Sequence, residues 1–209
     1  MRMAGIQLVS LIPMLWLGLA GSSLAQVTVT ELDQLETAKQ SVDKAKELAP
    51  FVPTPMEVVE KMLELARLTR SDTIYDLGSG DGRIVITAAK KYGTRAIGFE
   101  IDPDLVQESQ NNAVNEGVGH LVQIREQDLM TADFSKATVV TIYLHPDSNL
   151  LVRPLLEKQL KPGARIVSNE FAMGDWQPDV IQEVADSRGD IFTVYLWRIK
   201  GKGSERSSR

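Results

Sequence analysis

The chain contains no cysteine. That excludes a cysteine nucleophile, a thiolate zinc site and a disulfide framework. It contains only two histidines, His120 and His145, which argues against a histidine-based metal centre. No excess of positive charge is present. The formal net charge is −5, whereas a broad nucleic-acid surface is normally basic. Internal repeats and low-complexity segments are absent before the polar, Gly/Ser-rich end at 201–209, which is predicted to be a disordered tail. The 209 residues suffice for one domain with a substantial core.

The N-terminus carries its own pattern. Arg2 precedes an apolar stretch from Ile6 to Ala20, and Gly21-Ser22-Ser23-Leu24-Ala25 follows. A charged start, an apolar middle and a small-x-small site predict an export signal over 1–25, with an uncleaved anchor as the alternative. Polar residues 26–50 then form a spacer. In it Leu32, Leu35, Ala38, Val42, Ala45 and Leu48 recur at helical spacing, which predicts a helix at about 30–48. The predicted domain spans 51–200.

Within it strands and helices alternate. Thr54-Pro55-Met56-Glu57 has the form of a capping box with proline at the first helical position. The helix that follows carries Val59, Met62, Leu63 and Ala66 on one face. Strands are predicted at 73–77, 95–100, 121–125, 138–144 and 165–168, with helices at 83–92 and from Asp102-Pro103. Pro154 predicts a turn and then a helix that starts at that proline. Val180–Ala185 and Ile191–Ile199 are close enough for a hairpin. The expected fold is α/β: a doubly wound, Rossmann-like sheet of seven strands, mostly parallel, with an antiparallel C-terminal hairpin.

The chemistry concentrates at residues 73–83, Thr-Ile-Tyr-Asp-Leu-Gly-Ser-Gly-Asp-Gly-Arg. An apolar strand runs into Gly78, Gly80 and Gly82, and a helix begins at Arg83. A strand, a glycine turn and a helix in that order set bare backbone and a helix N-terminus against a ligand. The spacing is GxGxG, not the GxGxxG of dinucleotide enzymes. Asp76 closes the strand with a carboxylate, which suits a ligand carrying an ammonium group. S-adenosylmethionine has such a group at its amino-acid end. Glu100 closes the second strand twenty residues beyond Gly80, where a carboxylate accepts from both hydroxyls of a ribose. Asp128, beyond the third strand, is placed to accept from an adenine amine, with Leu129 against the ring, or else to act as a cap.

These residues resemble the class I S-adenosylmethionine-dependent methyltransferases over about 50–200. The glycine run, Glu100, Asp128, Leu160-Lys-Pro-Gly163 and the hairpin carry the resemblance. Phe51-Val-Pro-Thr54, Asp76 to Val85 and Pro162 to Ser168 are similar to a narrower group. These are the protein-lysine methyltransferases that act on the ATP synthase c subunit and the ADP/ATP carrier, with their bacterial relatives. The resemblance implies that Asp76, Gly78, Ser79, Gly80, Asp81 and Gly82 hold the methionine part. It gives Glu100 the ribose and Asp128 the adenine side, and closes Thr54 over the cofactor. The fourth strand ends in Tyr143-Leu-His-Pro146, without the Asn/Asp-Pro-Pro-Tyr/Phe of nucleobase amine methyltransferases. Tyr143, His145, Asn149 and Asn169 are candidates for the acceptor side. Tyr143 or His145 is the candidate base. Glu170 and Met173 to Trp176 are candidates for the rim, Trp176 more as a plug than as a cation-binding wall.

The expected activity is N-methylation of a protein lysine, with no nucleic-acid partner and with membrane contact only through an uncleaved N-terminus. A small-molecule methyltransferase and a non-catalytic S-adenosylmethionine-binding protein remain alternatives. The export signal predicts a periplasmic or anchored protein, although the cofactor is made in the cytoplasm.

Overall fold

The computed structural model describes residues 51–201. The export-type segment, the helix expected at 30–48 and the tail from 202 onward lie outside the described residues. The described chain forms α1 (Met56–Leu65), β1 (Thr73–Leu77), α2 (Arg83–Tyr92), β2 (Arg95–Glu100), α3 (Pro103–Asn115) and β3 (Val122–Glu126). A short 3-10 turn (Leu129–Thr131), β4 (Val139–Ile142), α4 (Pro146–Gln159), β5 (Arg165–Asn169), β6 (Val180–Ala185) and β7 (Ile191–Arg198) follow.

The seven strands make one sheet in the order β3-β2-β1-β4-β5-β7-β6. β1 through β5 are parallel to one another, and β7 is antiparallel to both β5 and β6. The chain reverses its direction across the sheet between β3 and β4. Ligands in such sheets gather at the carboxyl ends beside that switch point. The hairpin joins through its second strand, so β6 becomes the edge. β6 turns Gln182 and Glu183 to solvent, which discourages pairing with another chain.

Alternation along the strands sorts the core into two layers. Ile74, Val139 and Val167 pack under α1 and α2, against Val59, Met62, Leu63, Val85 and Ala88. Tyr75, Leu77, Val140, Ile142 and Ile166 face the other way, against Val152 and Leu156 of α4, Phe134 and Trp197. β4 is buried at every position because helices cover both faces.

Two local expectations fail. Thr54 does not cap α1: Pro55 takes the cap position without a side-chain bond, and Thr54 turns inward, almost fully buried. The helix expected from Pro154 begins eight residues earlier, at Pro146, and runs through Pro154. Pro154 lies on the exposed face. The carbonyl that loses its helical partner there, that of Leu150, belongs to a residue 47 % exposed. Caps on α2 and α3 form as their sequences predict, with Gly93 left-handed at φ 66° and Asp102 accepting from the Asp104 amide.

Candidate functional site

β1 delivers its glycine turn to the carboxyl edge of the sheet. The amides of Gly78 and Ser79 both donate to the Phe99 carbonyl at 2.9 Å, which folds the turn back onto β2. Gly78, Gly80 and Gly82 all have positive φ. At Gly80 a Cβ would fall 2.3 Å from the Phe51 ring, so only glycine lets that ring lie over the turn. Gly82 has a packing role. It starts α2 in the left-handed region, and a Cβ there would press on Ser109 of α3 at 2.9 Å. Its missing side chain lets two helices approach.

The acids divide the work. Asp76 is 2 % exposed and accepts one bond, from Thr141 Oγ1 at 2.7 Å. Burial pushes its carboxyl up to about 7, the Thr141 bond opposes this, and the charges of Glu100 and Asp81 push it further up. A carboxyl withheld from water among like charges is a seat for a cation. Glu100 braces the site: Oε2 accepts from the Gly80 amide at 2.8 Å, and Oε1 from the amides of Ile101 and Asp102 at 2.8 and 3.0 Å. Asp81 is held by Arg83, whose Nε lies 2.9 Å from Oδ1. The same guanidinium donates to the Thr54 carbonyl at 2.8 Å, which fastens the Phe51–Thr54 segment to the turn. Asp128 caps the 3-10 turn through Met130 N at 2.9 Å.

Together these elements enclose a cleft of about 440 Å³. Asp76, Gly78, Ser79, Asp81, Glu100, Ile101 and Asp102 line it. Asp128, Leu129 and Met130 line it as well, and so do Phe51, Val52 and Thr54. Tyr143 and Leu144 face the cleft after β4. Gly80, Gly82 and His145 are not among its lining residues. The Ser79 hydroxyl is buried and lacks a hydrogen-bond partner.

The two candidate bases stand in different places, Tyr143 in the cleft lining and His145 apart from it. Burial, followed by the Glu170 charge, raises the Tyr143 hydroxyl above its usual value, so the phenol keeps its proton near neutral pH. His145 is half exposed at the start of α4, 3.9 Å from Asp147 and outside the cleft. Asn149 donates to the Phe171 carbonyl at 3.1 Å and braces the loop after β5. The Trp176 carbonyl accepts from Trp197 Nε1 at 2.8 Å, and the Arg153 guanidinium lies over its ring at 5.5 Å.

Residues 76–180 match the profile of the ANTKMT methyltransferase domain. The chain belongs to this methyltransferase family. It is 44 % identical over 151 residues to the protein-lysine N-methyltransferase of Saccharolobus islandicus (strain REY15A), covering 72 % of this chain and 93 % of that protein. It is 35 % identical over 162 residues to the lysine N-methyltransferase of Homo sapiens named for the ATP synthase c subunit, with 78 % of this chain and 66 % of that protein covered. A crystal structure described as an RNA methyltransferase from Salinibacter ruber in complex with S-adenosyl-L-homocysteine superposes with TM-score 0.69 at 50 % identity. It covers 76 % of this chain and all of that one.

Several cleft residues of this methyltransferase are not legible in its sequence. Ser148, Leu151 and Val152 reach the cleft from one face of α4. Their i, i+3, i+4 spacing is the available signal, and Pro154 hides it by suggesting a later helix start. Arg83 reads in the sequence only as a helix start. Its role as a tether depends on Thr54, twenty-nine residues away.

Proposed function

We propose that this methyltransferase moves a methyl group from S-adenosylmethionine to the ε-amine of a lysine in a protein. The observation that carries the cofactor half is Asp76: a carboxyl buried beside a bare glycine turn, with Glu100 and Asp81 bordering the same cleft. Such a group gains most from a ligand ammonium. The orphaned Ser79 hydroxyl and the cleft volume fit the same ligand. When bound, S-adenosylmethionine supplies a methyl group already activated by a sulfonium.

The protein's own part is then modest. Asp76 takes the ammonium and Glu100 the ribose hydroxyls, without releasing the backbone it braces. Asp128 and Leu129 border the adenine. Phe51 and Thr54, tied down through Arg83, keep water from the reacting end. Tyr143 and Leu144 shape the approach of the amine, which must be neutral to attack. An apolar passage lowers a lysine pKa and supplies that neutral form without a dedicated base.

The lysine acceptor rests on the named activities of relatives at 44 % and 35 % identity. The structural relative described as an RNA methyltransferase supplies a rival. The acidic balance of this chain opposes it, because a phosphate backbone would meet net repulsion. Incubation of the protein with methyl-labelled cofactor and a cell extract separates the readings. Label on lysine in protein digests supports the proposal; label confined to RNA or to small molecules refutes it.

A further inference from the structure

Of the nine large apolar side chains that stand exposed among the described residues, four line the same cleft: Phe51, Val52, Met130 and Leu151. They come from three parts of the chain, namely the entry segment before α1, the 3-10 turn after β3, and α4. Val52 and Leu151 are each more than half exposed. Single exposed apolar groups need no explanation, but a group gathered at one concave mouth marks a surface that something covers.

The chain enters the domain at this mouth. The Phe51 ring lies so close over the glycine turn that a Cβ on Gly80 would collide with it, and Arg83 holds the Thr54 carbonyl at 2.8 Å. Just upstream, and outside the described residues, is the stretch 30–48. At helical spacing its Leu32, Leu35, Ala38, Val42 and Ala45 fall on one side, and Lys39 and Lys46 lie along the margin of that stripe. A lone helix of this kind draws most of its stability from packing such a stripe on an apolar face. Only Ala49 and Pro50 separate the stretch from Phe51, so it ends within about 10 Å of the mouth. So short a tether gives docking an effective concentration of about millimolar, which a free partner rarely reaches. Pro50 and Pro53 bias the joint toward extended backbone, which narrows the directions it can take.

We infer that residues 30–48 form a helix that covers the cleft mouth, with its apolar stripe on Val52, Met130 and Leu151. Charge agrees with this placement, since Asp128 is exposed on the cleft lining where Lys39 and Lys46 would meet it. Length agrees too: nineteen residues make a helix about 28 Å long. The occupant is the chain itself, and the consequence is for turnover. S-adenosylhomocysteine, the product left after transfer, escapes when the cover lifts, so the joint at 49–53 governs its release. The inference needs cofactor binding alone and does not depend on the lysine acceptor.

The test uses the full chain, whose lack of cysteine makes introduced thiols unambiguous. Val42→Cys with Leu151→Cys should form an intrachain disulfide under mild oxidation at least about tenfold faster than Gln40→Cys with Leu151→Cys, because Gln40 lies opposite the stripe. Leu35→Glu with Val42→Glu should speed S-adenosylhomocysteine dissociation about tenfold in stopped flow, and Leu151→Glu should do the same from the other face. All three changes together should be no faster than either set, because both sets break one contact. Equal cross-linking of the two cysteine pairs, or wild-type dissociation in both glutamate variants, overturns the inference. A disulfide that joins two chains also overturns it and assigns the mouth to a second copy. Unchanged dissociation in Leu151→Glu with lost methyl transfer to protein overturns it in favour of the acceptor.

Discussion

The two halves of the cleft are built on opposite plans. Around β1 and β2 the polar groups are largely paired before any ligand arrives. Glu100 already holds three backbone amides, and Arg83 holds both Asp81 and the Thr54 carbonyl. Around β4 and β5 the pairing is less complete: both amide atoms of Asn169 and Oδ1 of Asn149 have no partner. Asp76, at the seam, has one bond and a carboxyl raised to about 7. A half that is braced in advance loses little entropy on binding the same small molecule each turnover. A half with open valences suits a group that enters, reacts and leaves.

The largest expected effect comes from removing the brace. Glu100→Ala should cost about a hundredfold in S-adenosylhomocysteine affinity, because three amides and the ribose lose a charged acceptor together. Calorimetry on the folded variant decides this, and a dissociation constant within threefold of wild type would erase the contrast between the halves.

Asp76→Asn tests the seam, and its two readouts should move in opposite directions. Affinity for S-adenosylhomocysteine should fall about tenfold or more, since the ammonium loses its counter-charge. Stability at pH 8 should rise. The folded carboxyl titrates near 7 and the unfolded one near 3.8, so between these values the folded state binds more protons and wild-type stability falls as pH rises. The loss is complete above pH 7 and amounts to roughly 4 kcal/mol. The melting-temperature gain of the variant should therefore shrink steadily toward pH 4; a pH-independent gain would refute the buried-charge account.

A related effect needs no mutation. Ammonium binding requires the ionised carboxylate, so wild-type affinity for S-adenosylhomocysteine should strengthen from pH 6 to 8, by about tenfold per unit well below the Asp76 midpoint. A flat profile there would assign the ammonium to another partner. Gly82→Ala should destabilise the fold by about 1–3 kcal/mol in urea titrations, through its left-handed backbone and the Ser109 contact. The cleft is not lined by Gly82, so cofactor affinity should change little by comparison. The smallest effect belongs to His145→Ala, whose transfer rate should stay within about twofold of wild type, since the ring lies outside the cleft. A large drop would return His145 to the chemistry.

Local signals carry the braced half into the sequence. The glycines, the acid that closes β1 and the acid twenty positions after Gly80 are all visible in a short window, because turn conformation and strand ends are local properties. The acceptor half is harder to see. Tyr143 and Asn169 stand out as residue types, but their adjacency depends on a register between strands more than twenty residues apart. Pro154 misleads for a physical reason: it breaks a helix only where the lost bond has no relief, and here it falls on an exposed face. Thr54 misleads because the capping pattern ignores what else competes for that segment, and burial of its side chain together with the Arg83 tether wins.

By itself the sequence determined the alternation of strands and helices, the bare turn after β1, the carboxylates at the strand ends and the family. These follow from side-chain periodicity and from backbone freedom at glycine, which act over a few residues. Only the tertiary structure decided that β7 lies inside β6, that Asp76 holds its proton to about pH 7, that Arg83 ties Thr54 to the turn, and that the Asn169 amide is left unpaired. Each depends on water being excluded by distant parts of the chain, or on pairing between them, and neither is set until the chain has packed.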